Sequence, residues 1–196
     1  CTPGCTFIPI WIMNRPSPSA LPRFAPGRPL PPYTFIPGCH PHPTHHPEGH
    51  SFGMAPAEIE PPDPQVWARC EIYLHGVDLF NHGYYWEAHE AWEELWQADG
   101  RIGPVSDFLK GLIKLAAAGV KIREGIPHGA RSHALNAIPL FEKGIRRHTA
   151  DHTRFMGLDL GELSAFARAI ARNPPPGPPL ESPALPVFDF LLLPSD

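Results

Sequence analysis

His89 and Glu93 stand four residues apart in Tyr84-Tyr85-Trp86-Glu87-Ala88-His89-Glu90-Ala91-Trp92-Glu93-Glu94-Leu95-Trp96. On a helix, side chains at that spacing are neighbours on one face. An imidazole nitrogen and a carboxylate oxygen placed this way can take one metal ion. The zincin motif H-E-x-x-H uses the same geometry, and here Glu93 occupies the second histidine position. Mixed imidazole and carboxylate ligation suits Zn, Mn or Fe(II). Two ligands do not complete a site. Glu90 falls at the flank of the pair, and His82, His128, His133 and the histidines of the N-terminal arm are candidates for a third ligand.

A helix turning about 100° per residue gathers Leu95, Ala88, Trp92, Tyr85, Trp96 and Trp86 into one broad apolar arc. His89 falls near its middle and Glu93 near its edge. Glu87, Glu90 and Glu94 fall mainly on the opposite, solvated side. A carboxylate on a core-facing edge must be paired, protonated or metal-bound. The alternative to a metal is therefore a buried hydrogen-bond network, with Lys110 or Lys114 neutralising Glu93 and tryptophan N–H groups as further donors.

The elements that position these residues follow from composition and periodicity. Of 28 prolines, 17 lie in residues 1–64, three in 65–173 and eight in 174–196. This divides the chain into an extended Pro- and His-rich arm over 1–62, a helical domain over 63–173 and a Pro-rich tail over 174–196. Met13 is the first methionine, so residues 1–12 read as upstream sequence or the remnant of a longer start. The arm should lack regular structure. Its Leu21, Phe24, Leu30, Tyr33, Phe35, Ile36 and Phe52 suit docking on the body better than a solvated linker. His40, His42, His45, His46 and His50 could bind a metal, but read better as a polar loop. In one version the arm folds over and donates a single histidine to the His89 site. The tail, with Phe188-Asp189-Phe190-Leu191-Leu192-Leu193, could pack on the body or on a second subunit.

The domain reads as five helices. Asp63 as N-cap and Pro64 at the first helical position open the first, running to Asn81. Its apolar face takes Trp67, Cys70, Tyr73, Leu74, Val77 and Phe80, leaving Glu71, His75 and Asp78 as a polar stripe. The second runs from Tyr84 to Ala98 and ends at Asp99-Gly100. The third starts near Pro104 and ends before Gly125, with Gly111, Ala117, Ala118 and Gly119 permitting close packing. The fourth covers Pro127 to His148, with a kink expected at Pro139. Asp159 and Glu162 form a capping box for the fifth, which ends before Pro174. No strand pattern competes. The fold class is all-α, a compact bundle or irregular helical array.

Residues 65–173 carry 13 basic and 13 acidic side chains. That excludes the basic stripe of a nucleic-acid binder. No apolar run approaches the ~20 residues of a membrane span. Phe7-Ile8-Pro9-Ile10-Trp11-Ile12 makes a poor signal peptide. Cys1, Cys5, Cys39 and Cys70 show no zinc-type spacing, and Cys70 reads as a reduced core thiol. A cytoplasmic setting is expected. No P-loop, dinucleotide fingerprint or nucleophile elbow is present.

Asn81-x-Gly83-Tyr84-Tyr85-x-Glu87-Ala88-His89-Glu90-x-Trp92-Glu93-x-x-Trp96, followed by Phe108-Leu109-Lys110-Gly111-Leu112-Ile113-Lys114-x-Ala116-Ala117, resembles the family of domain of unknown function 309 over roughly residues 66–145. The resemblance implies a compact helical domain and the family's label of a predicted metal-dependent hydrolase. By position it points to His89, Glu90 and Glu93, with Tyr85 and Asn81 nearby. Lys110 or Lys114 departs from the family, where many members carry glutamine. The expectation is a divalent metal (Zn, Mn or Fe) held by His89 and Glu93. Glu90 or Glu93 would handle the proton of a hydrolysis, and Tyr85 would orient the substrate. The other expectation is a non-catalytic scaffold or binding module in which the His-Glu-Trp cluster fixes packing. A small molecule, a peptide or a second copy of the chain is the partner to expect.

Overall fold

The computed structural model describes residues 21–54, 58–147, 153–180 and 182–195. Cys1, Cys5, the Phe7–Ile12 run, His148 and His152 lie outside them. Five α-helices form the body: α1 (Glu71–Asn81), α2 (Tyr85–Ala98), α3 (Pro104–Arg123), α4 (Pro127–Ile145) and α5 (Leu160–Arg172). α2 packs against both α1 and α3, and α4 against both α3 and α5. Among the described residues no helix is long and apolar enough to cross a membrane.

Local chemistry explains most boundaries. Pro104 and Pro127 each sit in the first turn of a helix, where a missing N–H costs nothing. Asp159 accepts a hydrogen bond from the Glu162 N–H at 2.9 Å, capping α5. The first helix differs from expectation. Asp63 does accept the Gln65 N–H at 2.8 Å, but that bond makes an Asx-turn rather than an α-helical cap. A short 3-10 turn over Trp67–Arg69 follows, and Cys70, at ψ 88°, breaks the chain direction before α1 begins. Cys70 thus precedes the helix, as a half-buried free thiol.

A second difference is a two-residue antiparallel hairpin, β1 (Arg154–Phe155) and β2 (Leu158–Asp159). Its turn residues Met156 and Gly157 both have positive φ, 48° and 79°. That is the requirement of a two-residue turn matched to strand twist. Two-residue strands leave no alternation to read in a sequence.

The core is built from Tyr73, Phe80, Trp92, Leu95, Leu109, Leu112, Leu115 and Phe141, all at 0–1 % exposure. α4 contributes mainly Ala130, Ala134 and Ala137, so it lies close to α3. Gly111 and Gly119 make these approaches possible. A Cβ on Gly111 would strike the Phe141 ring, and one on Gly119 would lie 2.5 Å or slightly more from the Tyr85 ring.

Arm and tail both lie against this body. Fully buried Asp78 on α1 accepts hydrogen bonds from the backbone N–H groups of Phe24 (2.7 Å) and Ala25 (2.9 Å) and from the Arg23 guanidinium (2.9 Å). Leu21, Ala25, Phe35 and Ile36 are buried, whereas Phe52 stays 49 % exposed and does not dock. The tail packs on its own body. The Asn81 amide exchanges two 2.8 Å hydrogen bonds with the Leu192 backbone, and Phe188 sits against Phe80, Tyr85 and Phe166. Buried Arg123 donates to the carbonyls of Ser182 and Pro183.

Gly83 joins these parts. It turns the chain between α1 and α2 at φ +86°, and a Cβ there would strike the Leu185 carbonyl group. Gly83→Ala is expected to lower stability by at least about 1–2 kcal/mol from backbone strain alone. It should also raise hydrogen exchange across 183–193, read by mass spectrometry. Unchanged exchange there would show that the tail tolerates the added methyl.

Candidate functional site

α2 is placed by its buried face, which keeps Tyr85, Ala88, Trp92 and Leu95 of the expected arc but is rotated away from Trp86 and Trp96. Tyr85, Glu87, Ala88, Trp92 and Leu95 are the buried residues, while Trp86 and Trp96 are half-buried at the rim. The two rim tryptophans draw a hydrophobicity-weighted arc toward themselves. Packing on α1 and α3 instead turns the helix toward Ala88 and Leu95. Two corrections follow. His89 is not central to the core: its side chain is 27 % exposed, and Glu93 is 36 % exposed. Glu87, expected in solvent, is 6 % exposed. It accepts hydrogen bonds from the Thr34 hydroxyl (3.0 Å) and the Phe35 N–H (2.7 Å) of the arm. His50 Nε2 lies 3.5 Å from the same carboxylate, in ion-pair range but without a hydrogen bond. Sequence reasoning missed Asp78 and Glu87 as anchors. The available signal was that Glu87 adjoins the Ala88-Ala91-Leu95 side of the wheel.

On the half-exposed face, His89 Nδ1 lies 3.1 Å from a Glu90 oxygen and 3.4 Å from a Glu93 oxygen. One donor atom from each of the three residues lies within 4.8 Å of the others. Glu90 therefore stands beside the pair as a third donor, because a glutamate side chain can reach back over one residue. The donor chemistry fits a divalent cation: one imidazole and two carboxylates, with an open solvent side. Three protein ligands and an open position are the pattern of catalytic rather than structural sites. Glu94, next in the run, has its carboxyl held above the ordinary range, first by burial and then by the Glu90 charge.

The other candidate ligands fall elsewhere. His82 is buried and donates from Nδ1 to the Asp78 carbonyl at 2.7 Å. The arm histidines do not join the three donors. His42 packs on Trp86 at 5.5 Å between ring centroids, with His45 4.4 Å beyond it. Trp86 is one turn from His89 and Glu90, so the arm reaches the rim of the site. His133 on α4 is close enough to feel the charges of Lys114, Lys121 and His89. Burial first, then the Lys114 and Lys121 charges, hold it below the usual imidazole range.

The packing network needs Lys110 or Lys114 on Glu93 and tryptophan donors. Among the described residues neither lysine is within ion-pair distance of Glu93. Lys110 lies over the Trp96 ring at 5.3 Å instead, a cation–π placement. Trp92 donates to the Tyr73 carbonyl, and the Trp96 N–H has no partner. Tyr85, whose ring is in the core, accepts the Val187 N–H at 2.8 Å.

Fold and face together define a small, mostly helical protein with a His-Glu-Glu donor set on one helical turn. Residues 73–133, from α1 into α4, match the family model described as a domain of unknown function, DUF309. The chain matches no curated protein.

Proposed function

We propose that the chain binds one divalent ion, Zn, Mn or Fe(II), through His89, Glu90 and Glu93 and uses it in hydrolysis of a small molecule or peptide. The observation that carries this reading is the convergence of the three donors within 4.8 Å on a half-exposed face, with no lysine neutralising Glu93. A divalent ion bound there would lower the pKa of a coordinated water toward neutrality. The chain's own residues do the rest. His89 anchors the set as a neutral donor. The carboxylate oxygen of Glu90 or Glu93 left free of the ion can receive the proton. Trp86 and Trp96 flank the set one turn to either side, supplying apolar walls that limit water. Tyr85 contributes by fixing the tail, its hydroxyl being engaged with Val187, rather than by orienting substrate.

Elemental mass spectrometry on untagged full-length protein and on His89→Ala tests this. The wild type should carry close to one equivalent of Zn, Mn or Fe, and the variant much less, with unchanged helical circular dichroism. The ion should also raise wild-type stability by about 2.7 kcal/mol at a hundredfold excess over its Kd. Equal metal in both proteins would place binding in the arm histidines. No metal in either, with no response to added ions, would favour the scaffold reading.

A further inference from the structure

We propose that Lys114 and His133 form the anion-binding half of the His89 site, so that its ligand carries a singly charged oxyanion, a phosphodiester or a carboxylate. This deepens the metal reading above and rests on it for the other half of the site.

Helix register brings these residues together. α2 and α3 run antiparallel. Lys110 stands over Trp96 at 5.3 Å toward one end, and Gly119 meets the Tyr85 ring toward the other. Lys114 is one turn along α3 from Lys110, on the same face. That turn runs back along α2 from Trp96 toward Glu93 and His89. α4 returns along α3 in turn. The Lys121 side chain lies 3.1 Å from where a Gly129 Cβ would be, and His133 is one turn further along α4, moving back toward Lys114. The fields of Lys114, Lys121 and, when it is protonated, His89 reach His133, as this register requires.

Charge then selects the ligand. Lys121 is neutralised by Glu124 at 2.6 Å, and Lys110 is engaged with Trp96. Among the described residues Lys114 has no carboxylate in ion-pair range. Lys114 and His133 are both half-buried, so both can be reached from solvent. A divalent ion with two carboxylates and a neutral imidazole is electrically neutral. The Lys114 ammonium adds one positive charge, which matches a monoanion and leaves a neutral amide uncompensated. An ammonium donates to phosphoryl or carboxylate oxygens as a point charge, and His133 can add a ring N–H beside it.

The test titrates dimethyl phosphate and acetate into full-length protein loaded with Mn2+, in wild type, Lys114→Met and His133→Gln. Mn2+ affinity is measured separately on each by electron paramagnetic resonance. One of the two anions should bind the wild type and identify the oxyanion. Lys114→Met should weaken it about tenfold, the loss of one charge-assisted hydrogen bond, and His133→Gln by less, both with Mn2+ affinity retained. If dimethyl phosphate binds, Mn2+ should broaden its phosphorus resonance in the wild type. Anion affinity unchanged in Lys114→Met, or no binding of either anion to the Mn2+-loaded wild type, would overturn the assignment while leaving the metal reading intact. If the wild type takes no Mn2+, the metal reading fails by itself. Anion binding to that protein that Lys114→Met abolishes would still support the cationic half, and absence of such binding would overturn it.

Discussion

Asp78→Ala is expected to destabilise the protein by about 3 kcal/mol, the range for removing one partner of a buried charge-assisted network. The carboxylate is fully buried and accepts from Phe24, Ala25 and Arg23. Alanine would leave two backbone N–H groups without acceptors, and the guanidinium, 26 % exposed, with only the Ala25 and Arg28 carbonyls and water. Release of the arm limits the cost, because the freed groups can then be solvated. Asp78→Asn sharpens the point. It keeps the volume, but one of its two heads is a donor and would face donors, so nearly the whole loss should remain. Arg23→Met, at a part-exposed partner, should cost about 1 kcal/mol or less. Urea unfolding gives the energies, and trypsin cleavage of the Arg23–Phe24 bond reports arm release in the folded protein. Wild-type stability and protection in Asp78→Asn would show that the arm does not depend on this carboxylate.

The second large effect is acid sensitivity through His75. Burial first, and then the Arg28 charge, lower this imidazole from 6.5 to about 4, and its Nδ1 is buried without a hydrogen-bond partner. The folded chain therefore holds it neutral, while the unfolded chain protonates it near pH 6.5. Between those values the unfolded state binds more protons, so stability falls as pH falls. Its contribution is fully present above about pH 6.5 and is lost by about pH 4. At 1.36 kcal/mol per pKa unit the ceiling is about 3 kcal/mol, and solvent screening of the half-buried ring brings the expected loss to about 1–2 kcal/mol. His75→Phe should reduce the fall in unfolding free energy between pH 6.5 and 4.5, where most carboxylates remain ionised and the remaining slope includes His133, whose imidazole is also lowered by burial. Below that window the Asp159 carboxylate, lowered chiefly by hydrogen bonds from Thr153 and the Glu162 N–H against a burial cost, adds its own acid loss. A variant curve parallel to the wild type between pH 6.5 and 4.5 would remove His75 as the cause.

Both effects come from residues that the sequence placed on a polar stripe of the first helix. Periodicity read the other stripe well: Tyr73, Leu74, Val77 and Phe80 are all buried. It could not show that a proline-rich segment more than fifty residues upstream would cover Asp78. Glu87 on α2 was misread for the same reason, since its burial is supplied by Thr34 and Phe35. The donor set was legible in part. The four-residue spacing of His89 and Glu93 sufficed to pair them. The role of Glu90 depends on side-chain reach, and the lysines' distance from Glu93 depends on how α3 lies against α2.

What the sequence by itself determined is therefore local. Proline at two helix starts, the Asp159 capping box, the Gly83 turn and the apolar spacing of α3 set five helices and most of their limits, the start of α1 excepted, because each acts through neighbours a few residues away. The tertiary structure alone decided the rotation of α2 about its axis. Packing energy follows buried shape and area, and half-exposed tryptophans weigh as much as buried ones in any wheel. That rotation turned His89 and Glu93 outward to the rim, where a ligand can reach them, and turned Glu87 inward under the arm.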